Sequence, residues 1–246
     1  MKIHGLNKLT LLDYPGHMAC LVFTGACNYR CPFCHNASLV LHPNSQPLIS
    51  EDEIFRFLKS RTGILEGVCI SGGEPTLQPD LPEFIRKVKD LGFRVKLDTN
   101  GSRPEILNDL LTKDLLDYVS MDIKNTLSKY PFTVGLVNSP STFAPSCPDN
   151  LVTEAVQTSV KQLMNSDILY EFRTTLVREL HTEEDLLSIA AWLQGAKAYY
   201  LQAFRDSDTL VGAEKGQFHG FSREELLHFC ELLAPYFGMV AVRGID

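Results

Sequence analysis

Cys27-Asn28-Tyr29-Arg30-Cys31-Pro32-Phe33-Cys34 places three cysteines at C-x3-C-x2-C, with an aromatic residue just before the last. Three thiolates can hold three corners of a [4Fe–4S] cluster, which leaves one iron without a protein ligand from this loop. A cluster with an open iron can bind and transform a substrate, whereas a closed one mainly transfers electrons. Two blander readings compete. Zinc accepts thiolates at short spacing, but a closed structural site wants four ligands. His35 directly follows Cys34, so the two would struggle to reach one ion, and Cys20 or Cys69 would have to complete an all-cysteine set. A disulfide is the other. The seven cysteines are an odd count and no secretory signal peptide precedes them, which suits reduced thiols and a cytoplasmic location.

Upstream of the loop, Met18 to Thr24 is apolar enough for a buried strand, so the cysteines sit where a strand ends. The chain then repeats this strand–loop–helix pattern. Strands are expected at Gly67–Ser71, Phe93–Asp98, Tyr118–Lys124, Leu169–Val177, Ala198–Phe204 and Gly238–Val242. Ser50-Glu51-Asp52-Glu53 has the form of a capping box and opens a helix through Arg61. Further helices are expected at Pro79–Leu91, ended by Gly92, and at Pro104–Thr112, Val152–Met164, Glu183–Gln194 and Arg223–Leu233. From Asn125 to Asn150 the cadence breaks, with Pro131, Pro140, Pro145 and Pro148 among small polar residues. This reads as a long insertion or lid.

Alternating strands and helices imply parallel strands joined by crossover helices. The expected fold class is α/β, a partial (β/α)6 TIM-like barrel that is open laterally, one domain over 1–246. In such sheets the chemistry sits at the carboxyl ends of the strands. At 246 residues the chain can bury a sizeable core. No apolar run approaches membrane-span length. A net charge of −7 with scattered basic residues argues against a nucleic-acid partner.

The remaining motifs fall at strand ends. Ser71-Gly72-Gly73-Glu74-Pro75 follows the second central strand, where two glycines let backbone approach a ligand closely; most such pairs are merely turns. Asp98-Thr99-Asn100-Gly101 follows the third, and the helical run after it argues against a hairpin. Asp122 and Lys124, in Met121-Asp122-Ile123-Lys124, share one face of an extended chain. In isolation they would form a solvated ion pair. Arg173, within Glu171-Phe172-Arg173-Thr174-Thr175, is a charge in an apolar strand and needs a partner, either a ligand carboxylate or Glu171. Gln202 closes the sixth strand; the bland view is a polar residue at a barrel mouth.

These residues together resemble the radical S-adenosylmethionine (radical SAM) enzymes. Asp13-Tyr14-Pro15-Gly16, Phe23-Thr24-Gly25-Ala26, Cys34-His35-Asn36, Asp98-Thr99-Asn100-Gly101, Asp122-Ile123-Lys124 and Val242-Arg243-Gly244 narrow the likeness to glycyl-radical-enzyme activases. Within them the chain is most similar to the longer-form activases of anaerobic ribonucleoside-triphosphate reductase. The likeness runs from Leu11 to Gly244 and is weakest over Asn125–Asn150.

The resemblance implies a barrel of the radical SAM type, a [4Fe–4S] cluster, SAM, and a monovalent cation beside it. It implies that Cys27, Cys31 and Cys34 bind the cluster and that Phe33 and His35 line the adenine side of SAM. Gly72 and Gly73 would meet its amino group on a turn shaped by Glu74, with Asp98 near that amino group or the cation. Asp122 and Lys124 would meet ribose and carboxylate, and Arg173 the carboxylate. Related activases have histidine where this chain has Gln202. No acid–base catalyst is implied, because one electron cleaves the sulfonium. The 5′-deoxyadenosyl radical would then abstract a hydrogen from a glycine Cα of the partner.

The implied partners are a glycyl radical enzyme, closest to anaerobic ribonucleotide reductase, and a flavodoxin- or ferredoxin-like electron donor, with no membrane involved. The Asp13–Gly16 turn and the Asn125–Asn150 segment are candidates for the docking surface. Cys20, Cys69, Cys147 and Cys230 are isolated and read as small buried hydrophobes. The competing readings are an activase of pyruvate formate-lyase, a small-molecule radical SAM enzyme such as a deazapurine synthase, and a zinc-binding module without catalysis.

Overall fold

The structure, a computed structural model, describes residues 1–137, 150–212 and 214–245. Eight strands form one sheet in chain order. They are β1 (Ile3–Thr10), β2 (Ala19–Thr24), β3 (Gly67–Gly72), β4 (Arg94–Thr99), β5 (Tyr118–Asp122), β6 (Leu169–Leu176), β7 (Tyr199–Ala203) and β8 (Val240–Arg243). β1 runs antiparallel to β2, and every later pair is parallel. β1 and β8 do not pair, so the barrel is open between them, as expected.

The helices are α1 (Ala37–Leu41), α2 (Glu51–Lys59), α3 (Leu81–Asp90), α4 (Pro104–Thr112), α5 (Tyr130–Thr133), α6 (Asn150–Met164), α7 (Glu183–Trp192) and α8 (Arg223–Leu233). Each expected strand and helix is present, with ends displaced by no more than two residues. α3 shows why the sequence folds this way. Leu81, Phe84, Ile85 and Val88 recur at helical spacing and are all buried, and Gly92 at φ +86° takes the left-handed turn that stops the helix. Ser50 Oγ accepts from Glu53 N at 3.2 Å, half of the expected box. Reciprocal boxes form at Thr182/Asp185 and Ser222/Glu225. Among the described residues no helix is long and apolar enough to cross a membrane.

Two features differ from the sequence reading. The sequence gives no signal for β1: its register against β2 slips twice, and Asn7, Lys8 and Leu9 face solvent, so it carries no clean alternation. The segment after β5 reads in sequence as a long insertion or lid. Its described part, through residue 137, is packed: Tyr130, Pro131 and Thr133 of α5 are buried, and Val134 O accepts from Arg30 N at 2.8 Å. Residues 138–149, with Pro140, Pro145, Cys147 and Pro148, lie outside the described residues.

Candidate functional site

A cavity of about 440 Å³ opens at the carboxyl ends of the parallel strands, within the range of small-molecule sites. Cys27, Cys31, Cys34, Phe33, His35, Gly72, Gly73, Asp98, Asp122, Lys124, Arg173 and Gln202 all line it. They come from the loop after β2 and from the ends of β3 to β7. Glu74 is the exception: it is fully buried and is not part of the lining.

The cysteine loop is held by two outside contacts and one bond of its own. Ala26 N donates to Leu39 O of α1 (2.9 Å), Arg30 N to Val134 O (2.8 Å), and Cys34 N to Cys31 O (3.1 Å). Cys27 Sγ accepts from Tyr29 N at 3.4 Å and faces Asn100 Nδ2 at 3.7 Å. Burial pushes the Cys27 thiol up to about 11 and the Cys31 thiol up to about 12. Without iron they are neutral thiols, so binding iron must release protons.

Among the described cysteines only Cys27, Cys31 and Cys34 line the cavity. Cys20 and Cys69 are buried in β2 and β3, and Cys230 lies on α8. No three His, Cys, Asp or Glu side chains among the described residues converge as they would around a single ion. The four-cysteine zinc set with Cys20 or Cys69 is therefore not formed. What the three thiols share is one loop at one cavity.

The Gly72-Gly73 turn is dictated by its neighbours. A Cβ at Gly72 would overlap the Thr24 backbone, and one at Gly73 the Ala26 carbonyl. That closeness lets Gly73 N donate to Thr24 O (2.9 Å) and Glu74 N to Ala26 O (2.8 Å), which ties the end of β3 to the root of the cysteine loop. Glu74 then clamps the turn from below. Its Oε1 accepts from Thr76 N (3.0 Å), Thr76 Oγ1 (2.5 Å) and Thr99 Oγ1 (2.7 Å), and its Oε2 from Asn100 N (2.7 Å). Burial raises the Glu74 carboxyl, against these donors.

The floor of the cavity is charged. Arg173 Nε donates to Asp122 Oδ1 at 2.9 Å, and Arg173 Nη1 reaches Asp98 Oδ2 at 3.4 Å. Lys124 Nζ donates to Asp122 Oδ2 at 2.9 Å, and Lys96 Nζ pairs with Asp98 Oδ1. Burial works to raise the Asp122 carboxyl, but Arg173 and Lys124 hold it at about 2. Asp98 is likewise held below the carboxylate range by Arg173 and Lys96, against burial. The Asp122–Lys124 pair is thus embedded in a network rather than solvated.

Glu171, offered by the sequence as a partner for Arg173, is engaged elsewhere. It takes a two-pronged contact from Arg243 (2.5 and 2.8 Å) and accepts from Ser120 Oγ (2.7 Å) and Tyr118 OH (2.8 Å). Strand register is the reason: Asp122 sits directly opposite Arg173, while Glu171 lies one side-chain layer further down the barrel.

His35 stacks on Phe204 with centroids 5.5 Å apart and planes at 22°, and its Nε2 lies 2.6 Å from Arg205 O. Gln202 Oε1 accepts from Thr175 Oγ1 at 3.3 Å. The sequence alone does not single out Asn36, Asn100 or Lys96 as site residues. Asn36 Nδ2 donates to Gly72 O (2.8 Å), and Asn100 Nδ2 to Asn28 Oδ1 (3.0 Å). Asn36 and Asn100 lie inside motifs quoted above; Lys96 is visible there only as a charge in an apolar strand. The Asp13–Gly16 turn is also placed differently. It precedes β2, so it lies at the amino ends of the parallel strands, away from the cysteine loop, with Tyr14 buried against Gly67. Asp13 lines the cavity, which makes the turn part of the barrel floor rather than of its mouth.

Comparison with known proteins agrees with this geometry. A family model described as "Radical SAM superfamily" matches residues 21–139. A protein of Methanocaldococcus jannaschii named "Putative glycyl-radical enzyme activating enzyme" is 31% identical over 249 residues, 99% of this chain and 96% of that protein. The pyruvate formate-lyase-activating enzyme of Clostridium pasteurianum is 31% identical over 130 residues, 50% of this chain and 52% of that protein. Among solved structures, Streptococcus suis SuiB bound to S-adenosylmethionine matches with a TM-score of 0.66 at 11% identity, over 92% of this chain and 52% of that one. This last likeness is one of fold.

Proposed function

The chain belongs to the radical SAM superfamily, and from that premise we propose that it is a glycyl-radical-enzyme activase whose partner is anaerobic ribonucleoside-triphosphate reductase. One observation carries the reading: three thiols, a glycine turn and a floor of paired charges share one cavity at the strand ends. When bound, the cluster and SAM supply one-electron cleavage of a sulfonium C–S bond and, through it, hydrogen abstraction from a glycine of the partner.

The chain's own residues bind and orient. Cys27, Cys31 and Cys34 would hold the cluster. The Gly72-Gly73 turn receives the amino group, and Glu74 acts through that turn rather than by contact. Arg173 and Lys124 face the carboxylate. Phe33 and His35 line the adenine side, and the Phe204 stack fixes the His35 ring. These contacts would fix the orientation of SAM, which is where most of the protein's contribution lies.

A flavodoxin- or ferredoxin-like protein in the cytoplasm is the proposed donor. The reductase is proposed on the resemblance of the motif set, and the relative from Clostridium supports the broader activase class. The test is anaerobic reconstitution, followed by electron paramagnetic resonance of the reduced cluster with and without SAM and an assay for 5′-deoxyadenosine. Each of two candidate partners, the reductase and pyruvate formate-lyase, is then added in turn. A glycyl radical on the reductase alone is the expected result. A radical on the lyase alone overturns the partner, and a cluster indifferent to SAM overturns the function.

A further inference from the structure

Asp98 and Asp122 bring four carboxylate oxygens to the cavity floor, and the chain's own cations meet all four. Lys96 takes Asp98 Oδ1 and Arg173 takes Asp98 Oδ2; Arg173 also takes Asp122 Oδ1, and Lys124 takes Asp122 Oδ2. The family resemblance implies a monovalent cation beside the ligand's amino group, near Asp98. The residues present do not fit one. An added ion between Asp98 and Asp122 would find each of their four oxygens already paired and would sit beside Lys96, Lys124 and Arg173.

Lys96 is the unusual member. Its side chain is only 1% exposed, and lysine is almost never so buried unless it is paired. It lies two residues before Asp98 on β4, so both project from one face of the strand. It is not part of the cavity lining and stands behind Asp98. Its ammonium has three donors: one meets Asp98, another points toward Cys69 Sγ at 3.7 Å, and the Tyr118 ring lies 5.9 Å away. A carboxylate, a sulfur and a ring face are what an ammonium needs in place of water.

We propose that Lys96 is the built-in cation of this site, a positioning residue that neutralises Asp98 so that SAM binds without any free monovalent metal ion. Lys96 and Arg173 between them meet both oxygens of Asp98, so its charge is balanced by the chain's own groups. Removing Lys96 leaves Asp98 with only the longer Arg173 contact. The inference rests on the reading of this cavity as the SAM site.

The experiment is a titration of the reconstituted, reduced protein with SAM, followed by the change in the cluster's resonance signal. It is run at one ionic strength in potassium, sodium or tetramethylammonium chloride. The wild-type affinity should agree across the three salts within about twofold, and Lys96→Met should lose about tenfold in tetramethylammonium and recover most of it in potassium or sodium. Thermal melting of the cluster-free proteins gives a readout independent of SAM. Lys96→Met should melt higher in potassium than in tetramethylammonium, whereas the wild type should melt alike in both.

A wild type that binds SAM in potassium and loses it in tetramethylammonium overturns the proposal while leaving the SAM site intact. So does a Lys96→Met protein indifferent to the salt. A wild type that binds SAM in none of the salts overturns the reading of the cavity, and the proposal with it. The wild-type series decides even if the variant does not fold.

Discussion

His181 Nε2 lies 2.8 Å from the carbonyl oxygen of Lys124, 57 residues away in the chain. Its other ring nitrogen, Nδ1, accepts from Val177 N at 3.1 Å. A neutral imidazole with its proton on Nε2 satisfies both contacts, and burial holds the group below the usual histidine range. The ring thereby fixes the backbone that carries a cavity cation. His181→Ala would leave a buried carbonyl and N–H unpaired, a loss of about 1–3 kcal/mol. SAM binding should weaken as well, and His181→Gln, which can still donate to the carbonyl, should recover part of both. Urea unfolding and SAM titration on the three proteins check this; equal SAM affinity in all three would show that His181 serves stability alone.

Glu74→Gln should be far milder than Glu74→Ala. The amide keeps one acceptor oxygen for the Thr76 and Thr99 groups but turns a donor toward Asn100 N, whereas alanine removes the acceptor for all four bonds. Breaking one buried hydrogen bond costs about 1 kcal/mol, and breaking four costs several times that. Denaturation midpoints of the two variants give the ordering, and equal midpoints would contradict the clamp.

Gly73→Ala should displace the cysteine loop. Its new methyl would overlap the carbonyl of Ala26, the residue before Cys27, so backbone rather than a flexible side chain has to move. Iron and sulfide content after reconstitution should fall well below wild type. Gly63→Ala is the control, because nothing crowds that position and only its φ of +78° opposes a side chain, a cost of about 1–2 kcal/mol.

Cys31→Ala should lose cluster binding and SAM cleavage together. Cys20→Ala should keep both, since Cys20 is buried in β2 and does not line the cavity. Iron analysis and the deoxyadenosine assay separate the two. SAM cleavage retained in Cys31→Ala would refute the assignment of the loop.

The cluster-free protein should lose stability in acid through Asp122. Its folded carboxyl titrates at about 2 against an ordinary 3.8, because Arg173 and Lys124 outweigh burial. A depressed carboxyl contributes fully above the unfolded value and less as pH falls through the folded one. Unfolding free energy should therefore drop between about pH 4 and pH 2, and Asp122→Asn should flatten that part of the curve. A variant with the wild-type slope would show that the pairing carries no net stability.

The sequence by itself determined the elements and the places where chemistry gathers. Cysteine spacing is local, the apolar faces of helices such as α3 repeat every three to four residues, and glycines such as Gly92 mark helix ends within one turn. Those signals need only neighbours along the chain, so the strand ends, the cysteine loop, the Gly72-Gly73 turn and Asp122-Ile123-Lys124 are legible in the residues alone. β1 is not, because its pattern is set by an irregular pairing with β2 rather than by its own residues.

Charge partnership is the other part that only the tertiary structure decided. Arg173 meets Asp122 and Asp98 instead of Glu171, Glu171 meets Arg243 from 72 residues away, and Lys96, which does not line the cavity, meets the other oxygen of Asp98. Which oxygen a buried cation reaches depends on the register between strands that are far apart in sequence. A shift of one residue reverses every side chain between the inside and the outside of the barrel, so no local pattern can state the answer.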